Sequence, residues 1–267
     1  RVRSSAASDV YKRQAKDRSI GAIAIDPTNP QHIFIGTDVA RHGASSVNGG
    51  RFTPPDAPRV GLYESTDGGA TFTLAFSKPS DGVDPTSPNG SDFFRGGVSN
   101  IVYNNTGLAA GQPWRIYFSM FDYGLFRSTG MGTYEQVFAS VGGGTVANSV
   151  GARTEFALAP NGNKLRIYLG DTDGNTADFY RVDDANVPAS TLTDGTNNSG
   201  WTKLSNAAKG TPGYASYNFC NPQCSYDMPL ASPPGHPDEV WIGGSMQYAE
   251  IFTANPPSNG RAVQRST

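Results

Sequence analysis

The chain repeats itself, and that repetition limits its fold more than any single residue does. Strand-like segments rich in Ile, Val, Phe and Tyr recur four times, at Ile33–Gly36, Ile116–Ser119, Ile167–Gly170 and Val240–Gly243. Three of them follow a similar strand and a Pro-containing turn, at Ala22–Pro27, Phe156–Pro160 and Pro229–Pro233. In the second unit Ser99–Tyr103 takes that place, with a longer insertion before Trp114. A third strand follows each, at Gly61–Ser65, Gly124–Ser128, Asp178–Arg181 and Arg261–Arg265. A fourth closes three of the units, at Thr71–Phe76, Glu135–Phe138 and Trp201–Leu204. Four short strands per unit, repeated, predict an all-β chain, a partial β-propeller of four-stranded antiparallel blades with about three and a half blades present. A β-sandwich would not demand this self-similarity.

Composition agrees and excludes some functions. Across 267 residues, 32 glycines, 19 prolines and 11% aromatics suit short strands joined by many turns. A formal net charge of −2 and a pI near 5.9 argue against a nucleic-acid-binding surface, which is ordinarily basic. No run approaches the roughly 20 apolar residues of a membrane-spanning helix. Cys220 and Cys224 stand in a C-x3-C arrangement. A zinc site would need two further ligands, and His32, His42 and His236 show no ligand spacing, so no metal or cofactor is expected. A local disulfide in an exported protein is preferred over free thiols.

The turn between the third and fourth strands of the first unit reads Ser65-Thr66-Asp67-Gly68-Gly69-Ala70-Thr71-Phe72. This pattern, Ser-x-Asp-x-Gly-x-x-aromatic, resembles the Asp-box (BNR repeat) of sialidase-like and xyloglucanase-like β-propellers. The motif decays along the chain. Ser128–Tyr134 keeps the Ser, a Gly and the aromatic, the third copy from Val182 to Trp201 carries an insertion, and Ser266-Thr267 opens a fourth. Residues Ser4–Gln14 read as the translation of an adaptor used in transposase-based sequencing libraries. The expected organisation is therefore 1–14 adaptor-derived, 15–19 linker and 20–267 an incomplete propeller whose remaining blades lie in the same polypeptide.

In such a box the carboxylate accepts backbone N–H groups in a tight turn where Gly tolerates unusual dihedrals, so Ser65, Asp67, Gly69 and Phe72 are expected to be structural. In the families resembled, the box lies on the face away from the active site. Loop lengths agree: the first-to-second-strand turns are short, whereas Thr37–Val60, Ser77–Gly97, Ser140–Thr154, Ser205–Tyr226 and Gly244–Gly260 are long and varied.

A carboxylate recurs just past the second strand, as Asp38, Asp122 and Asp171. Glycoside hydrolysis needs paired carboxylates. The segment Ile33–Asp38 resembles the first-blade segment of two-propeller xyloglucanases, which implies that Asp38 is one catalytic carboxylate and that its partner lies in a second propeller. The family's following Gly-Gly-aromatic is replaced here by Val39-Ala40-Arg41-His42-Gly43. Sialidase chemistry is disfavoured: the Arg-Ile-Pro segment is absent, and no pattern ties Arg41, Arg51 and Arg95 together. Arg41, Arg95, Asp122, Tyr123, Asp171 and Tyr248 are the candidate binding residues of the upper face. Asp171–Asn175 is read as a polar Gly turn in preference to a calcium loop. Phe93, Phe94, Tyr214, Tyr217 and Phe219 either stack on sugar rings or anchor long loops.

The resemblance implies a secreted or extracytoplasmic protein that acts on or binds a polysaccharide or glycan. Its rival is a non-catalytic scaffold for a protein partner, as in sortilin-type receptors and photosystem assembly factors with similar repeats.

Overall fold

The computed structural model describes residues 15, 18–38, 58–78, 96–130, 132–142, 152–172, 176–221, 224, 227–244 and 263–267. Within them the strands form four antiparallel meanders. The first blade comprises β1 (Ser19–Asp26), β2 (Asn29–Asp38), β3 (Leu62–Ser65) and β4 (Thr73–Phe76), hydrogen-bonded in that order. The second repeats it with β5 (Val98–Asn104), β6 (Arg115–Met120), β7 (Gly124–Gly130) and β8 (Thr133–Phe138). The third has β9 (Thr154–Asn161), β10 (Lys164–Thr172), β11 (Ala177–Val182) and β12 (Thr202–Lys203), with a short helix α1 (Ala189–Leu192) before the last strand. The fourth has three described strands, β13 (Leu230–Ala231), β14 (Val240–Gly243) and β15 (Val263–Ser266). The first strands β1, β5, β9 and β13 lie against one another in sequence order, so the sheets stack as successive blades of a partial propeller.

Stacking explains the strand sequences. A strand inside a blade is covered on both faces, so its residues need not alternate apolar with polar. In β6, Ile116, Phe118 and Met120 join Phe34 and Leu62 of the first blade, whereas Tyr117 joins Phe156, Leu165, Ile167 and Leu169 of the third. In β10, Leu165, Ile167 and Leu169 face the second blade, while Tyr168 packs with Val240 and Ile242 of the fourth. Phe76 drives into the first seam, with ring centroids 5.8 Å from Phe118 and 5.2 Å from both Phe126 and Tyr134.

Close approach also explains two of the glycines that end the repeated second strands. A Cβ at Gly36 would lie 2.6 Å from Val98 Cγ1, and one at Gly170 would lie 2.9 Å from Phe219 Cζ. No side chain fits at either.

The Ser65–Phe72 turn is held by its own short side chains. Ser65 Oγ donates to Asp67 Oδ1 (2.8 Å) and accepts from the Gly69 amide (2.8 Å). Asp67 accepts the Thr71 amide (2.8 Å) and hydroxyl (2.6 Å). These bonds, the Thr71 hydroxyl foremost, hold the Asp67 carboxyl down to about 2. Gly68 and Gly69 take φ of 73° and 88°, which an L side chain resists. The Gly68 amide donates to the Gln31 carbonyl (2.9 Å), tying the turn to β2 at the end where β1 and β2 also turn. We call this the lower end; β2 and β4 finish, and β3 and β5 begin, at the upper.

Among the described residues no helix is long and apolar enough to cross a membrane. Because Phe118 is fully buried in the first seam, Phe118→Ala is expected to destabilise the fold by about 3–5 kcal/mol, read from urea denaturation followed by tryptophan fluorescence.

Candidate functional site

Asp38 ends β2 and faces Ser19 at the start of β1, whose Oγ donates to the Asp38 carbonyl (2.8 Å). It therefore stands at the upper end of the first blade, half-buried. Asp122 occupies the corresponding corner of the second blade, in the tight turn between β6 and β7. Its φ is 66°, a left-handed conformation that Asp tolerates better than most residues because its side chain can bond locally. Its backbone N–H donates to the Ala152 carbonyl (2.8 Å), and its Oδ1 accepts from the Ala152 amide (2.5 Å). One residue thus grips both polar groups of a backbone unit leading into β9 of the next blade.

The same clip recurs. Asn218, the other non-glycine residue of positive φ among the described residues, donates its N–H to the Ala177 carbonyl (2.8 Å) and accepts the Ala177 amide on Oδ1 (2.8 Å). An amide does there what a carboxylate does at Asp122, so neither clip depends on charge.

Asp171 lies in β10 opposite Thr154 and Asp178, fully enclosed. It accepts from Thr154 Oγ1 (2.7 Å), the Val141 amide (2.8 Å) and Ser140 Oγ (3.0 Å). Burial pushes its carboxyl up to about 7 against the pull of those three donors, with the negative charge of Asp178 adding to the rise. Ser140 joins Asp171 to the turn of the second blade, because its amide reaches the Tyr123 carbonyl (3.4 Å). The Tyr123 ring sits under Lys78, whose Nζ is 5.1 Å from its centroid. Asp122 and Asp171 therefore converge at the upper end of the seam between the second and third blades, whereas the Tyr123 ring packs on the side of the first seam.

Arg41, Arg95 and Tyr248 lie outside the described residues, as do Arg51, Phe93, Phe94 and Asp173–Asn175. Among the described residues no group of three or more His, Cys, Asp or Glu side chains could hold a metal ion. The loop aromatics divide. Phe219 is 1% exposed beneath Gly170 and beside Phe179, an anchor for its loop, whereas Tyr214 and Tyr217 are half-buried. Cys220 and Cys224 are joined in a disulfide buried in the same cluster as Phe219.

The lower end holds a constellation the sequence did not advertise. His32 Nδ1 lies 3.3 Å from Asp26 Oδ2, and its Nε2 lies 2.6 Å from Glu64 Oε1. These residues come from β1, β2 and β3 and line a cavity of about 660 Å³ between the first two blades. Its far wall includes Tyr103, Tyr134, Trp114 and Arg115 of the second. His32 and Glu64 meet because Phe34 pairs with Glu64, which places His32, two residues from Phe34, on the same face of the blade. The alternation of His32 and Phe34 was visible in the sequence; their facing Tyr103 across a seam was not.

Comparison with protein-family models, with curated proteins and with solved structures finds no match to this chain.

Two substitutions test the roles of the upper carboxylates. Asp122→Asn is expected to keep the clip, whereas Asp122→Ala orphans the Ala152 amide and costs about 1–3 kcal/mol, measured by urea denaturation. Asp171 is protonated more readily in the fold than in the unfolded chain. Its contribution is therefore complete below the ordinary carboxylate value of 3.8 and is lost as pH rises towards about 7. Asp171→Asn should flatten that decline in denaturation midpoints collected across the same window.

Proposed function

We propose that this chain is part of a secreted, Asp-box-type propeller that binds glycans and acts on them in the manner of a glycoside hydrolase. The observation that carries this reading is the recurrence of a carboxylate at the upper end of the second strand in three successive blades: Asp38, Asp122 and Asp171. Asp122 and Asp171 are taken up by the seam and shape the rim, and the resemblance of Ile33–Asp38 to the xyloglucanase segment is what assigns the chemistry to Asp38. Hydrolysis needs a second carboxyl group about 5–9.5 Å away, which this reading assigns to a part of the protein beyond this chain. Tyr123, beneath Lys78 at the rim, is the aromatic residue that this reading places beside the sugar. Export is supported by the Cys220–Cys224 disulfide, a bond that persists in oxidising compartments.

A non-catalytic protein-binding scaffold is the second reading. It is favoured by the engagement of Asp122 and Asp171, which removes two of the three rim carboxylates from chemistry.

A screen of plant and bacterial polysaccharides for binding and hydrolysis by the whole protein, with Asp38→Ala beside the parent, separates the two. The expected outcome is hydrolysis of at least one glycan, reduced about 10²-fold or more by Asp38→Ala. Hydrolysis indifferent to the substitution removes Asp38 from the mechanism, and the absence of any glycan binding or cleavage returns the protein to the scaffold reading.

A further inference from the structure

Where the apolar seam between the first two blades reaches the lower end, it opens into a space with two unlike walls. On one side, rings crowd together: His32 and Phe34 have centroids 4.8 Å apart, and Tyr103 lies 6.1 Å from Phe34. Trp114 and Tyr134 extend this aromatic lining. On the other, Asp26, His32 and Glu64 present an unbroken run of polar atoms. At about 660 Å³ the cavity falls in the range of roughly 300–1,000 Å³ typical of small-molecule sites.

One polar group in it is unmet. The Tyr103 hydroxyl is shielded from solvent and has no hydrogen-bond partner among the described residues. A buried hydroxyl left unpaired is unfavourable, so a ligand that moves aside the groups covering it gains a hydrogen bond there. Burial, with the negative charges of Asp26 and Glu64, pushes the Tyr103 phenol up, which keeps it protonated and able to donate.

The charges in the lining oppose one another. Two carboxylates share His32 between them, and Arg115 stands on the facing wall. A strongly charged ligand of either sign would meet a like charge. Nor is the site arranged for hydrolysis by a His-activated nucleophile: both ring nitrogens of His32 are turned to carboxylate oxygens and not to a hydroxyl or thiol.

We propose that this groove binds an uncharged carbohydrate, one sugar face resting on Trp114 and Tyr134 and its hydroxyls bridging Tyr103, Glu64 and Asp26. The groove is at the opposite end of the blades from Asp38, so it stands independently of the upper-rim reading.

Isothermal titration of the chain with tetrasaccharides of glucose, mannose and xylose tests this, with tetragalacturonate and tetralysine as anionic and cationic comparisons. At least one neutral tetrasaccharide should bind. Trp114→Ala, which removes a stacking ring, and Ala109→Trp, which fills the groove from an exposed loop position, should each weaken binding about tenfold or more. Tyr103→Phe should weaken it about three- to tenfold without lowering Tm, because no partner is lost from the free protein. Asp38→Ala should leave it unchanged. The assignment is overturned if no neutral tetrasaccharide binds, if binding survives both Trp114→Ala and Ala109→Trp, if only a charged probe binds, or if Asp38→Ala abolishes it.

Discussion

The burial of one blade's face against the next is the interaction on which everything else in this structure depends. A four-stranded antiparallel meander has two faces and cannot cover either by itself; its neighbours must do so. Here the second blade sends Ile116, Phe118 and Phe126 to one side and Leu125, Val137 and Phe138 to the other. The first blade shows the consequence of lacking such cover among the described residues: Ile23 and Ile25, on the face away from the second blade, are 64% and 54% exposed. Stability in an array of this kind is the sum of seams, and a blade's strands are only as firm as the partners on either side.

The seams also decide where polar groups can sit. Across the middle of the blades the packing is apolar and close enough to exclude a Cβ at Gly36. Arg127, buried at the middle of β7, is an exception; other polar side chains gather towards the two ends, and the ends are finished differently. Between the second and third blades the upper end is stitched by Asp122 to Ala152 and by Asp171 to Ser140, Val141 and Thr154. Lower in the same seam Arg127 reaches the carbonyls of Ala185 and Val187, and Trp201 Nε1 donates to the Val137 carbonyl (2.8 Å). The first seam has its open side at the lower end, where the insertion before Trp114 stands off the β1–β2 turn and leaves the cavity around His32.

Much of this architecture was legible in the sequence because it is written in local, repeated signals. The strand segments, the Gly that closes three second strands and the Ser65–Phe72 turn all depend on residues close together in the chain. The described strands overlap the segments expected of the first three units, some of them shorter than expected, and the fourth sheet has the three strands read for it. The sites were much less legible. Asp122 and Asp171 stand out in sequence as recurrent carboxylates, but what they do depends on Ala152, Ser140 and Val141, partners that only blade stacking brings within reach. His32 offered no ligand spacing because its neighbours, Asp26 and Glu64, belong to different strands of one sheet, and Tyr103 belongs to another sheet. Loop aromatics were ambiguous for the same reason: whether Phe219 faces outward or under Gly170 is decided by the path of its loop and not by its neighbours in sequence.

The recurrence of the left-handed clip shows how structural and functional readings of a carboxylate can be told apart. Asp122 and Asn218 have nearly the same φ and grip an alanine backbone unit through the same pair of bonds. Where an uncharged amide fills an equivalent role, the charge of the aspartate is not what the fold requires. Glu64 is different in kind. It is turned towards an imidazole that lines an open cavity, in a region where a tyrosine hydroxyl lacks a partner, whereas its neighbour Asp26 also accepts the Thr28 amide. A carboxylate that satisfies backbone donors is spent on the fold; one held at the wall of a cavity beside an unmet donor is available to a ligand. By that criterion the groove beneath the first seam is better provided for recognition than the carboxylates that first drew notice at the rim of the second.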